Sequence, residues 1–216
     1  MLSRRYKSFH MIDFYKLLHN DKDIKYIVDL IISTVSDDKS FIGIDFYENH
    51  ILVCTEIAYK LAIERDTNIK NAVIAALLHD YAMHDTKKDH EIIGGIYARK
   101  ILNDLNFEKN DINTICQAIE HHRDGILKYK DKNDLIISDA DAISYIIKFP
   151  FFEQYERNIH PKTADDILMN KIDKICDIIT PGGLDLIKKD CERIKRRLEE
   201  NKNEKSRSKR LFRKNS

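Results

Sequence analysis

A histidine beside an aspartate at the end of an unbroken apolar run is a costly arrangement, and His79-Asp80 is such a pair. The run Ala72 to Leu78 carries nothing polar and reads as a buried helix segment that delivers both groups into the interior. An imidazole and a carboxylate buried side by side need a partner, and a metal ion satisfies both. Other groups able to hold a metal recur in helical settings: His50 upstream, then His90, His121, His122, Asp139 and Asp141 downstream. On a helix His79 and Asp80 project about 100° apart, so both can reach one ion near the helix end. His50 lies on the preceding helix, which short-loop packing would set antiparallel and alongside. Asp141 is a carboxylate where its apolar stripe would prefer a leucine, and Asp139 competes with it for the same role. Two imidazoles and two carboxylates form a mixed nitrogen and oxygen set. That set suits Mn, Fe, Co, Ni or Mg better than a four-coordinate structural zinc.

The elements that must position these groups read as helices. Only 6 Gly and 3 Pro in 216 residues leave too little turn chemistry for a many-stranded fold. Helical periodicity predicts segments over Met11–Leu18, Asp21–Val35, Asp45–Arg65, Ile69–Met83, His90–Leu105 and Ile112–His122. It continues over Asp134–Phe149, Thr163–Ile179 and Leu184–Glu199. Asp66-Thr67-Asn68 offers a cap for the fourth of these, and Asn110-Asp111 for the sixth. Gly94-Gly95 weakens the helix that contains it, so a close helix contact or an approaching ligand is the expected reason for the pair. Leu135–Ser138 is β-branched enough for a strand, but the length of its segment favours a helix. Pro150 is read as a stop, and Thr180-Pro181-Gly182-Gly183 as the break between the last two helices.

The expected fold is therefore all-α: a compact helical bundle with extra N- and C-terminal helices. The expected division is an N-terminal helical segment over 1–40, a main domain over 41–200 and a basic tail over 201–216. That tail holds 7 Lys/Arg against 1 Glu, while the other 200 residues hold 30 basic and 35 acidic. Its composition predicts a segment without fixed structure. Net charge over the whole chain is +1, so the body is no obvious nucleic-acid or membrane binder. Cys54, Cys116, Cys176 and Cys191 are far apart and read as structural thiols in a reducing compartment. Without a spanning apolar run or a signal-peptide core, a cytoplasmic location with no membrane contact is expected.

The ordered set of motifs resembles the HD superfamily of metal-dependent phosphohydrolases. It consists of His50 at the head of a helix, Ala75-Ala76-Leu77-Leu78-His79-Asp80, His90-Glu91-Ile92-Ile93-Gly94-Gly95, Ala118-Ile119-Glu120-His121-His122 and Ala140-Asp141-Ala142-Ile143. The resemblance implies that His50, His79, Asp80 and Asp141 hold one metal ion. It also implies that His90 and His122 take part in a second, with His121 a further candidate. Asp141 is preferred to Asp139 because it matches the Ala-Asp-x-Ile pattern. Met83 stands where the branch acting on nucleoside monophosphates has a glutamate.

A divalent metal so held would activate water at neutral pH and polarise a phosphoryl oxygen, with Asp80 placed to move the water's proton. Arg123, Lys87 and Lys88 are the candidate phosphate contacts. The implied function is hydrolysis of a phosphomonoester or phosphodiester in a small phosphorylated substrate, expected to be a nucleotide. Two other functions compete with it. One is a metal-binding module without turnover, and the other is an RNA-associated protein whose +6 tail tracks phosphates. The oligomeric state is left open.

Overall fold

A computed structural model describes residues 11–214, with side chains placed for 12–204. Among the described residues there is no strand. α1 (Met11–Asn20) and α2 (Lys22–Val35) form a hairpin whose turn is the Asp21 cap. The Asp21 carboxylate accepts from the backbone N–H of Asp23 and Ile24. α2 buries Ile24, Ile27, Ile31 and Val35 at spacings of three and four, with Val28 half-buried against the core and Ile32 left exposed.

A short turn, α3 (Ile44–Phe46), passes through one π-helical turn (Tyr47–Ile51) into α4 (Leu52–Glu64). The regular helix expected over this stretch is widened by one residue just where His50 sits. Such bulges re-aim a side chain at a cost in helical regularity. α5 (Ile69–Leu78), capped by Asn68, is buried on every face from Asn71 onward and forms the centre of the molecule. It stops earlier than the apolar pattern predicts. His79 and Asp80 leave the α-helix, and Tyr81–His84 continues as a tighter 3₁₀ turn.

α6 (His90–Asp104) packs closely on α7 (Lys109–His121). A Cβ on Gly94 would lie 3.2 Å from Ile119 Cγ2, and one on Gly95 would run into Glu120. The glycine pair therefore serves helix contact rather than a ligand. α7 begins one residue ahead of the expected Asn110-Asp111 cap, after Glu108. α8 (Lys132–Ile147) is capped by Asp131 and is helical throughout, Leu135–Ser138 included. α4, α5, α7 and α8 pack on one another as the central layer, with α2 on α5 and α6 on α7.

Two elements correct the sequence expectation. α8 ends at Ile147, just before Pro150 as expected, but the proline also sits in the first turn of a further helix, α9 (Phe149–Ile159), where its missing N–H costs nothing. α10 (Ala164–Ile178) is followed by α11 (Pro181–Lys214), which starts at the proline itself. The Thr180 hydroxyl accepts from the Gly183 N–H and caps α11. α11 also runs on through residues 201–214, so that stretch is helical rather than without fixed structure. Beyond Gly183 it meets no helix breaker, and Lys, Arg and Glu are good helix formers.

The four cysteines are free, three of them buried and Cys176 half-buried. No helix among the described residues is long and apolar enough to cross a membrane.

Candidate metal centre

Five elements deliver six side chains to one place. His50 comes from the π turn before α4, and His79 with Asp80 from the end of α5. His90 opens α6, His122 closes α7, and Asp141 lies in the middle of α8. All but Asp141 are almost fully buried.

The two oxygens of Asp80 face different histidines. Oδ2 lies 3.1 Å from His50 Nε2 and 3.5 Å from His79 Nε2. Oδ1 lies 3.2 Å from His90 Nε2 and 3.8 Å from His122 Nε2. On the first side, His50 Nε2 is also 3.2 Å from His79 Nε2 and 3.3 Å from Asp141 Oδ1. Two clusters result, His50–His79–Asp141 and Asp80–His90–His122, and the ligand atoms within each lie within 4.8 Å of one another.

The hydrogen bonds behind the rings fix which nitrogen is free. His79 Nδ1–H donates to the Ala76 carbonyl at 2.7 Å, and His122 Nδ1–H to the Ile119 carbonyl at 2.6 Å. His90 Nδ1–H donates to the Lys87 carbonyl at 3.2 Å. Ser144 gives its hydroxyl proton to the Asp141 carbonyl, so its oxygen accepts from His50 Nδ1–H at 3.1 Å. All four imidazoles thus turn an Nε2 lone pair inward, the tautomer that metal-ligating histidines adopt. Lone pairs and carboxylate oxygens about 3 Å apart repel unless a positive charge lies among them. Metal bonds of about 2.1 Å place neighbouring ligand atoms at about that separation. α5 and α7 also point their negative C-terminal ends at the site, which favours a cation there. The residues present fit a divalent ion on each side of Asp80.

The electrostatics agree. Burial pushes the Asp80 carboxyl up, but His79, His50 and His90 together hold it well below the usual carboxylate range. Asp141 is likewise raised by burial and lowered more by His50 and Lys171. Burial and the neighbouring His79 push His122 down to about 4, so it stays neutral and able to ligate at physiological pH. His90 moves the other way: burial lowers it, and the hydrogen bond to Asp80 raises it above its ordinary value.

These shifts set an acid response. A histidine held at about 4 in the fold and about 6.5 unfolded gives stability that is complete above pH 6.5 and lost as pH falls toward 4. The loss is on the order of 3 kcal/mol for His122, and His90, which gains its proton more readily in the fold, opposes part of it. In metal-stripped protein the urea midpoint is expected to drop from about pH 7 to about pH 4.5. His122→Leu should flatten that slope, and an equally steep slope in the variant would refute the assignment.

Three residues of the expected set lie elsewhere. Asp139, fully buried, is engaged by Arg65 and by the Thr180 N–H and hydroxyl, away from both clusters. Its side chain lies on a different face of α8 from Asp141, two residues being about 200° of helix turn. His121 turns outward, donating from Nδ1 to Asp134 at 2.9 Å and stacking on Tyr129. Lys88 is exposed and is not among the residues lining the cleft above the site.

That cleft, about 200 Å³, opens over Asp80, His50, His90, His122 and Asp141. Its rim carries Arg123, paired with Glu91 at 3.5 Å, while Lys87 reaches it indirectly by donating to the Tyr155 hydroxyl. Phe46, Phe151, Phe152 and Tyr155 form an aromatic wall, and Lys171 of α10 faces the site beside Tyr145. Sequence reasoning missed Lys171, because one lysine on the amphipathic α10 looks like any solvated charge.

The chain is similar to known proteins. The HD domain family matches residues 47–146. YueE of Bacillus subtilis (strain 168), which bears the name of a candidate phosphohydrolase, is 31% identical over 156 residues, covering 64% of this chain and 85% of that protein. Ribonuclease Y of Rubrobacter xylanophilus is 31% identical over 98 residues, covering 44% of this chain but only 17% of the enzyme. In fold, the chain is similar to a crystal structure described as a predicted HD superfamily hydrolase from an uncultured Thermotogales bacterium. The TM-score is 0.55 at 21% identity, over 76% of this chain and 93% of that one. With the doublet, the helix-borne histidines and the late aspartate gathered at one centre, the chain belongs to the HD superfamily of metal-dependent phosphohydrolases.

Proposed function

We propose that this protein hydrolyses a phosphate ester of a nucleotide or a similar small molecule, using two divalent ions. His50, His79 and Asp141 would hold one ion and His90 and His122 the other, and Asp80 presents an oxygen to each group. One observation carries this reading: the two oxygens of Asp80 point into separate histidine clusters at the floor of an open cleft. Bound ions would supply Lewis acidity and a nucleophilic water at neutral pH.

The chain's own residues supply the rest. Asp80, held ionised, is placed to accept the water's proton and return it to the leaving group. Arg123, kept at the rim by Glu91, and Lys171 offer cations to phosphoryl oxygens. The aromatic wall gives a planar base a surface to stack on, which is the argument for a nucleotide.

The test is metal analysis of the purified protein beside a phosphate-release screen over nucleotides and cyclic dinucleotides with added Mn²⁺ or Co²⁺. Two ions per chain and phosphate release from at least one nucleotide are expected. His90→Ala should lower the metal count, and an unchanged count would argue for a single ion. Metal binding without turnover of any phosphate ester would leave a non-catalytic module instead.

A further inference from the structure

Beside the cleft, and sharing Arg123, Asp141, Tyr145 and Lys171 with it, lies a small crevice that Lys174, Ile175 and Ile178 also line. Three cations meet there. Arg123 comes from the end of α7. Lys171 and Lys174 are one turn apart on α10 and so share a face. Of the three, Arg123 has a carboxylate partner, Glu91. Lys171 stacks its ammonium on the Tyr145 ring at 5.3 Å. Among the described residues neither Lys171 nor Lys174 makes an ion pair. The acids within electrostatic reach are Asp141, which belongs to the metal centre, and Glu91 and Asp124.

Asp141 faces the metal centre, Glu91 pairs with Arg123 and Asp124 with Lys128, so neither lysine has a carboxylate of its own, and a bound polyanion would recover the Coulomb cost of holding them together. Two of the three cations, Lys171 and Lys174, stand on α10. α10 lies outside residues 47–146, the portion that matches the HD domain. The metal centre can therefore serve one phosphoryl group while α10 adds anion-binding capacity beside it.

We infer that the substrate carries two phosphoryl groups, one over the metal centre and the other held in the crevice by Arg123, Lys171 and Lys174. This rests on the phosphohydrolase reading and narrows it to a nucleoside diphosphate or bisphosphate. Lys174 is the most telling of the three, since it lines the crevice but not the cleft above the metals. Its ammonium is pushed below its ordinary value by burial and by Arg123 and Lys171, as expected for a cation awaiting an anion.

Two measurements on the full chain loaded with Mn²⁺ test the inference. In calorimetry, methylenediphosphonate is expected to bind at least about tenfold more tightly than methylphosphonate. Lys174→Met should remove most of that ratio, and Lys174→Arg should restore it. In kinetics, the ratio of kcat/KM for a nucleoside 3′,5′-bisphosphate or 5′-diphosphate over the 5′-monophosphate should fall by about tenfold in Lys174→Met. Melting temperatures of the variants check that the fold is intact. Equal affinities for the two phosphonates, or a ratio that Lys174→Met leaves unchanged, would overturn the second-phosphate site. A Lys174-dependent preference without turnover of any phosphate ester would instead sink the hydrolase reading and leave the subsite standing.

Discussion

Asp80→Asn is expected to cut phosphate release by about 10³-fold or more and to lower the metal content of the purified protein. The variant preserves the shape of the side chain but replaces one acceptor oxygen by an NH₂ group. Whichever way the amide turns, one of the two clusters meets N–H bonds where it needs a lone pair. If Oδ1 is replaced, the nitrogen faces His90 and His122; if Oδ2, it faces His50 and His79. The substitution also removes the ionised group placed to move the proton. Denaturant unfolding of the variant and the parent, both metal-free, separates lost chemistry from lost stability. Activity within tenfold of the parent, with a full metal complement, would show that Asp80 does not bridge the two sides.

The largest stability effect is expected away from the metals, at Arg65. Its guanidinium meets the Asp139 carboxylate, which is 0% exposed, and also reaches the Thr180 hydroxyl at 3.4 Å. Asp139 further accepts from the Thr180 N–H at 2.8 Å and the Thr180 hydroxyl at 2.5 Å. This cluster joins the end of α4, the middle of α8 and the start of α11. Arg65→Met leaves Asp139 charged and buried with neutral donors only, a loss of about 3–5 kcal/mol. Pairing it with Asp139→Leu should recover a large part of that loss, because both polar partners then go together. Denaturant unfolding of Arg65→Met, Asp139→Leu and the double variant measures this. A single-variant loss below about 1 kcal/mol would place the pair with exposed salt bridges, which contribute little.

The legibility of the chain followed its periodicity and its local rules. Helices with a stripe of apolar residues and a nearby cap, such as α2 after Asp21, were readable to within a residue or so, and α5 after Asn68 was readable at its start. α9 was not, because Pro150 reads as a stop unless it falls in a first turn, and only tertiary packing of Phe149 and Phe152 decides that. The early end of α5 was hidden for a similar reason: Tyr81-Ala82-Met83 fits an α-helix by composition, yet the chain tightens there into a 3₁₀ turn.

Within the centre, His50, His79, Asp80 and Asp141 could be picked from residue type and setting. His90 and His122 were candidates by residue type, but only resemblance to a family set them apart from His121, because neither lies in an apolar run that makes it conspicuous. Asp139 and Asp141 are both carboxylates on a buried helix. Their opposite fates depend on Arg65 and Thr180, 74 and 41 residues away in the chain. Lys171 and Lys174 were invisible for the same reason, since their meaning comes from Arg123 and Asp141 on other helices.

The backbone carbonyls of Ala76, Lys87 and Ile119, with the Ser144 hydroxyl, settle the orientation of all four rings independently of any ion. A cage of imidazoles and carboxylates assembled in advance has no moving part with which to reject an unwanted cation of similar size. Affinity would then climb along the first-row series as it does for small nitrogen and oxygen chelators. Which element resides in the protein would follow from what the cell supplies, and protein purified from media enriched in different metals should carry different ions in the same coordination frame.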